Sequence, residues 1–182
     1  MAESSGEIRV WDPLLRAFHW TLAVSIVAAW VTAQVDESLH EILGYVALAL
    51  IAWRVLWGLV GPRYARFSQF VRKTPVVWSY LRTVLAGTEV RFIGHNPAGG
   101  AMILAMLAVV GVVSASGWLL TTDALWGNAW AQKAHSLLAH GLFVLIALHV
   151  GGVALASWRH RENLAAAMIT GLKRALQSEE IM

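Results

Sequence analysis

Four long apolar stretches dominate the chain, and polar segments separate them. They cover approximately residues 14–33, 40–60, 98–120 and 133–158. A helix of roughly 20 apolar residues is long enough to cross the hydrocarbon layer of a membrane. The pattern therefore predicts an all-α protein, a bundle of four transmembrane helices that forms a single membrane domain over residues 1–182.

The link between the second and third stretches, residues 61–97, contains a shorter apolar element. Its sequence PVVWSYLRTVLA, residues 75–86, is too short to span a membrane. The proline at its start and its tryptophan predict a short interfacial helix that lies on the membrane surface. After the fourth stretch, residues 159–182 read as a polar tail with a short helical pattern over 162–175.

The composition agrees with a membrane protein and limits its chemistry. Hydrophobic residues make up 58% of the chain and charged residues only 14%, whereas soluble domains carry about 25% charged residues. The sequence contains no cysteine, which excludes disulfides, iron–sulfur clusters and heme attached through CxxCH. Histidine is left as the expected ligand of any buried metal.

The basic residues are distributed unevenly along the chain. Of the 14 lysines and arginines, twelve belong to the N-terminal end, the 61–97 link and the tail, whereas only Lys133 lies at the opposite ends of the helices. Because positively charged loops stay in the cytoplasm, we expect both termini and the link inside the cell. This topology accounts for the pI of about 9.7 without nucleic-acid binding.

Four histidines fall at matched predicted depths. His135 and His149 are 14 residues apart on the fourth helix, which places them about 21 Å apart along the axis on nearly the same face. The topology places His40 near the outer surface with His135, and His19 near the cytoplasmic surface with His149. Each pair joins two different helices, as two imidazoles that hold a flat macrocycle between them must.

This pairing predicts two b hemes with bis-histidine ligation, one near each membrane surface. Zinc is less suitable, because it takes four ligands at one depth. Two axial imidazoles exclude O₂ and substrate from the iron and suit one-electron transfer. The sequence thus indicates an electron-transfer role across the membrane.

Two further residues of the second helix are predicted to serve the hemes. Arg54 lies 14 residues after His40, at the depth of the inner heme, where a propionate is a natural bidentate partner. A backbone carbonyl or a lipid phosphate remains open as its partner. Gly44, one turn after His40, leaves room for a ring to approach the backbone. The histidines without matched partners, which are not predicted to bind iron, are His95, His140 and His160.

Five motifs resemble the bacterial cytochrome b561 family, which includes the cytochrome b subunits of nickel–iron hydrogenases. In chain order they are WDPLLRAFHW, LHEILGYV, WRVLWGLVGPRYARFSQF, GHNPAGGAMI and KAHSLLAHGLFVLIALHV. The resemblance implies a location in the inner membrane of a bacterium and two b hemes ligated from helices one, two and four. It also implies electron transfer between a periplasmic donor and the membrane quinone pool. The histidines on the corresponding motif positions are His19, His40, His135 and His149.

Three functions follow from these observations. We expect an electron-transfer subunit whose donor is a redox protein such as a hydrogenase or a c-type cytochrome, with quinone and membrane lipid as further partners. The alternative is a stand-alone enzyme, a superoxide oxidase or another small-molecule:quinone oxidoreductase. The third is a membrane anchor whose histidines bind lipid or a partner.

Small residues such as Gly111 and Gly117 on helix three would permit close helix packing, within one bundle or in a homodimer.

Overall fold

The computed structural model describes residues 6–175, so the outermost parts of the predicted termini, residues 1–5 and 176–182, lie outside it. Within this range the chain is mostly helical. In chain order the elements are β1 (Glu7–Arg9), α1 (Pro13–Thr32), α2 (Glu37–Val60), a 3₁₀ turn (Arg63–Ala65), α3 (Phe67–Phe70), α4 (Thr74–Ala86), α5 (Pro97–Leu120), α6 (Ala129–Arg159), α7 (Leu164–Thr170) and β2 (Leu172–Arg174).

Four of these helices are long and apolar enough to cross a membrane. They are α1, α2, α5 and α6, with mean hydropathies between 1.5 and 2.2 over their most apolar windows. At most 22% of any of these windows is buried inside the protein, so most of each surface is available to lipid tails. This confirms the predicted class, an all-α membrane protein with four spans. The short helix expected between the second and third spans is α4.

Polar side chains cap the N-termini of all four spans. Asp36 Oδ1 accepts a hydrogen bond from the Leu39 N–H at 3.0 Å, and Asn128 Oδ1 accepts one from the Ala131 N–H at 3.0 Å. The other two caps are Asp12 at α1 and Asn96 at α5. Such caps satisfy N–H groups that lack partners within the helix. The helices α2 and α6 therefore begin before their apolar stretches, at Glu37 and Ala129.

The described residues form two compact units. The first, called the bundle unit, comprises residues 17–56 and 104–148. All four spans contribute to its hydrophobic core, which is the defining feature of a four-helix bundle. The core contains Ala47 and Ile51 of α2, Val110 of α5 and Leu142 of α6, with Leu22 and Ile26 of α1 packed against them.

The second unit, called the terminal unit, comprises residues 6–16, 57–103 and 149–175 of the described chain. In it β1 pairs with β2 in an antiparallel ladder, with Ile8 opposite Lys173. The Gly171 carbonyl continues this contact by accepting the N–H groups of Val10 and Trp11 at 2.9 and 3.2 Å. The sheet was not predicted, because three-residue strands are too short to show a readable alternation of polar and apolar residues.

A buried ionic cluster holds the tail in the terminal unit. The side chains of Arg91, Glu162 and Lys173 are only 3%, 7% and 4% exposed. Arg91 donates to Glu162 at 2.9 Å, and the Lys173 ammonium lies 3.4 Å from the same carboxylate. Burial acts to raise the pKa of Glu162, but the hydrogen bond from Arg91 and the two positive charges leave that pKa below its ordinary value.

Candidate functional site

The first turn of α2 brings His40 opposite His135 of α6 inside the bundle unit. The centroids of the two imidazole rings lie 6.2 Å apart, and the ring planes are nearly perpendicular at 88°. Both residues are half-buried. These are the two histidines that the sequence assigned to the outer surface.

Each of these imidazoles is held through Nδ1. His40 Nδ1 lies 2.8 Å from the carbonyl oxygen of Ala29 in α1, and His135 Nδ1 lies 2.9 Å from Ser116 Oγ in α5. A carbonyl oxygen can only accept, so Nδ1 of His40 carries the proton and Nε2 keeps a free lone pair. Histidines that bind metals are typically oriented by such a hydrogen bond from the other ring nitrogen.

A cavity of about 760 Å³ surrounds the two rings within the bundle unit. All four spans line it, with Ala29, Gly44, Gly117 and Leu142 among the lining residues. This volume lies in the usual range for cofactor sites, about 300–1,000 Å³. At Gly44 an added Cβ would meet no atom within 4 Å, so the α2 backbone is open to a flat ring on this side.

The spacing of the rings fits one metal atom between them. A histidine nitrogen lies about 2.0 Å from a bound metal and about 1.1 Å from its own ring centroid, which places two opposed centroids about 6.2 Å apart. The observed separation is 6.2 Å. Among residues 6–175, no group of three or more His, Cys, Asp or Glu side chains could hold a metal ion. A metal here would need a macrocycle for its remaining ligands, and the cavity has room for a porphyrin.

The other predicted site residues occupy separate places. His19 lies in α1 in the bundle unit, and His149 lies in the part of α6 that belongs to the terminal unit; both are half-buried. Arg54 lies in α2 and is only 2% exposed. The pairing of His19 with His149 and the partner of Arg54 stay predictions.

Two histidines without a predicted role contact aromatic rings. His140 lines the same cavity, is exposed, and meets Trp30 edge-on with centroids 5.0 Å apart. His95 is half-buried, with its ring 4.5 Å from Trp11 and 4.9 Å from Phe70. Their surroundings thus differ from the opposed imidazoles of His40 and His135.

Sequence reasoning missed the groups that orient His135. Ser116 lies in a span without ionisable residues, and nothing in its spacing connects it to residue 135. Gly117 was expected to serve helix packing, but a Cβ built on it would lie 3.1 Å from Cε1 of His135. The available signal was a serine and a glycine together near the outer end of α5, at the predicted depth of His135.

Comparison with known proteins adds an independent finding. The family described as prokaryotic cytochrome b561 matches residues 10–171. A probable Ni/Fe-hydrogenase B-type cytochrome subunit of Azotobacter vinelandii is 29% identical over 69% of this chain, and the match spans 64% of that relative's own length. A protein with the same description from Azotobacter chroococcum mcd 1 is 26% identical over 90% of this chain and 87% of the relative. No solved structure matches the chain.

Proposed function

Because the chain belongs to the prokaryotic cytochrome b561 family, we propose that it transfers electrons between a redox protein on the outer side of the bacterial inner membrane and the membrane quinone pool. The family and the four apolar spans make it a b-type membrane cytochrome. The Azotobacter relatives, described as hydrogenase cytochrome subunits, support a hydrogenase as the donor protein.

The observation that carries this proposal is the opposed pair His40 and His135 in a cavity of the bundle unit. Two imidazoles would occupy both axial positions of a heme iron and leave none for O₂ or a substrate. When bound, heme b supplies an iron that gains and loses one electron. The site therefore suits electron transfer better than chemistry on a bound molecule.

The protein's own contribution is to hold the two ligands still. The Ala29 carbonyl and the Ser116 hydroxyl, which belong to two other helices, fix the orientation of the two imidazoles. Neither ring would therefore have to turn when a bound iron gains or loses an electron. The core residue Leu142 lines the same cavity and helps to keep water out. A rigid and dry site lowers the rearrangement that accompanies electron transfer.

We assign a second heme to His19 and His149 on their sequence positions. The assignment is supported by the 14-residue spacing of His135 and His149 on α6, which gives one helix a ligand near each membrane surface. The buried guanidinium of Arg54 suits a propionate of this heme, because arginine binds carboxylates through two parallel hydrogen bonds.

Heme counting of the purified chain tests the proposal. We expect b-type bands in the reduced-minus-oxidised spectrum and about two hemes per chain. The variants His40→Ala and His135→Ala should each lose about half of the heme, because one axial ligand is removed. His160→Ala, which removes a histidine just after the end of α6 that does not line the cavity, serves as the matched control and should keep the full amount. A folded wild-type chain without heme would contradict the proposal.

The stand-alone enzyme differs from this proposal in its need for a donor protein. Quinone-loaded protein can be given superoxide alone or a reduced hydrogenase-type donor. We expect quinone reduction only with the donor protein. Rapid turnover with superoxide alone would favour the enzyme and contradict the proposed role.

A further inference from the structure

We infer that Ser116 is a positioning residue that lowers the reduction potential of the outer heme through its hydrogen bond with His135. The inference rests on the proposed function, because it takes His135 as an axial heme ligand. It concerns a residue of α5, the span that supplies no histidine to either pair.

The single proton of the Ser116 hydroxyl has a defined place. Oγ lies 2.8 Å from the Val113 carbonyl oxygen, one turn earlier in α5. A carbonyl oxygen cannot donate, so the hydroxyl donates its proton there. Towards His135 Nδ1, at 2.9 Å, Oγ can then only accept. His135 therefore carries its proton on Nδ1 and its lone pair on Nε2, the state that a metal ligand needs.

This hydrogen bond also changes the imidazole electronically. An acceptor at Nδ1 draws the proton partly away and makes Nε2 a more basic ligand. A more basic axial ligand stabilises ferric iron relative to ferrous iron and so lowers the reduction potential. The Val113 carbonyl is a hydrogen-bond partner of His135 as well, and a carbonyl oxygen can only accept, which also places the proton of the imidazole on Nδ1.

The neighbouring residue keeps this contact short. Gly117 presents only a hydrogen towards the ring, and a Cβ there would lie 3.1 Å from His135 Cε1. Ser116 and Gly117 thus hold one edge of the imidazole against α5. On the other ligand, His40, the acceptor is the main-chain carbonyl of Ala29, which no substitution removes. Ser116 is therefore the side chain through which the outer heme can be retuned without replacing a ligand.

The test uses two variants of the same shape in the full-length, heme-loaded protein. Ser116→Thr keeps a hydroxyl, whereas Ser116→Val puts a methyl group in its place. In a spectroscopic redox titration, we expect S116V to favour ferrous iron about tenfold more, equivalent to about 59 mV upward for a one-electron couple. S116T should titrate close to the wild type. Thr122→Val, which removes a hydroxyl that donates to the Leu119 carbonyl just after α5 and does not line the cavity, should leave the potential unshifted.

The two heme populations give an internal reference. The redox titration of the wild type should show two one-electron waves, one for each heme. The wave that is missing in H135A belongs to the outer heme. Only this wave should shift in S116V, and the other should keep its potential. If S116V loses the outer heme altogether while S116T retains it, the heme content of the two variants shows that the Ser116 hydroxyl positions His135. The inference is overturned if S116V titrates as the wild type does, or if S116T shifts as far as S116V. A wild-type chain without heme, or an H135A chain that keeps both hemes, would instead overturn the proposed function.

Discussion

At the residue scale, the His135 ring is fixed by two neighbours on one helix. Ser116 Oγ lies 2.9 Å from its Nδ1, and Gly117 makes space for its Cε1 edge. A third neighbour, His40, faces it at 6.2 Å between ring centroids. The position of one imidazole thus depends on contributions from α2, α5 and α6. Small changes at any of these contacts should therefore alter how tightly the heme is bound.

Gly117→Ala tests this dependence. The added methyl group would press on His135 Cε1 from 3.1 Å and should shift the ring. Overpacking of this kind costs about 1–3 kcal/mol, which corresponds to roughly five- to 150-fold weaker heme binding. Heme titration into the heme-depleted protein measures the effect.

Gly111→Ala is the matched control on the same helix, because a Cβ at Gly111 would meet Ile51 at an ordinary 3.6 Å. It should bind heme as tightly as the wild type. Equal heme affinities for G111A and G117A would show that close approach at residue 117 does not matter.

The histidine pair was predictable from the sequence, whereas its supports were not. The depths of His40 and His135 follow from the order of the spans and the side on which each begins. The contact of Ser116 with His135 depends on the rotation of α5 about its axis. That span is apolar on all sides and carries no charge to mark an inward face, so its sequence leaves the rotation open.

At the element scale, the spans were predictable because hydrophobic length determines them. The first turns of these helices were harder to predict, because caps such as Asp36 and Asn128 extend α2 and α6 into polar sequence. The β1–β2 sheet joins residues more than 160 positions apart. Its stability depends on the buried cluster of Arg91, Glu162 and Lys173, whose members look like ordinary surface charges in the sequence.

This cluster should make the sheet sensitive to acid. The pKa of Glu162 is lower in the folded chain than its ordinary value of 4.5, so its ion pairs stabilise the fold at neutral pH. That contribution is lost as the pH falls below 4.5 and through the folded-state pKa. The amide protection factors of residues 172–174, which are corrected for the intrinsic pH dependence of hydrogen exchange, should therefore fall in acid.

Glu162→Gln should remove most of this response and loosen the sheet already at neutral pH. Removal of one partner from a buried ion pair costs about 3–5 kcal/mol. The control is Glu7→Gln, an exposed carboxylate of β1 in the same sheet, which should exchange as the wild type does. An acid response in E162Q as large as in the wild type would place the sensitive group elsewhere.

At the scale of the whole molecule, the charge distribution predicts the orientation in the membrane. The chain has no cysteine, so single cysteines can report their own location. Ala124→Cys lies in the exposed loop between α5 and α6, and Thr88→Cys lies in the exposed segment after α4. A membrane-impermeant thiol reagent applied to intact spheroplasts should label only A124C.

Labelling of both variants after permeabilisation is the control for accessibility. Labelling of T88C alone in intact spheroplasts would mean that the orientation is inverted. In that case the His40 and His135 pair would face the cytoplasm, and the donor proposed for the outer surface would have to act from inside.

A density map of the heme-loaded protein tests the account most directly. We expect flat density in the cavity of the bundle unit, with its iron about 2.0 Å from Nε2 of both His40 and His135. Flat density elsewhere with this cavity filled only by side chains, or an iron bound by another residue, would contradict it.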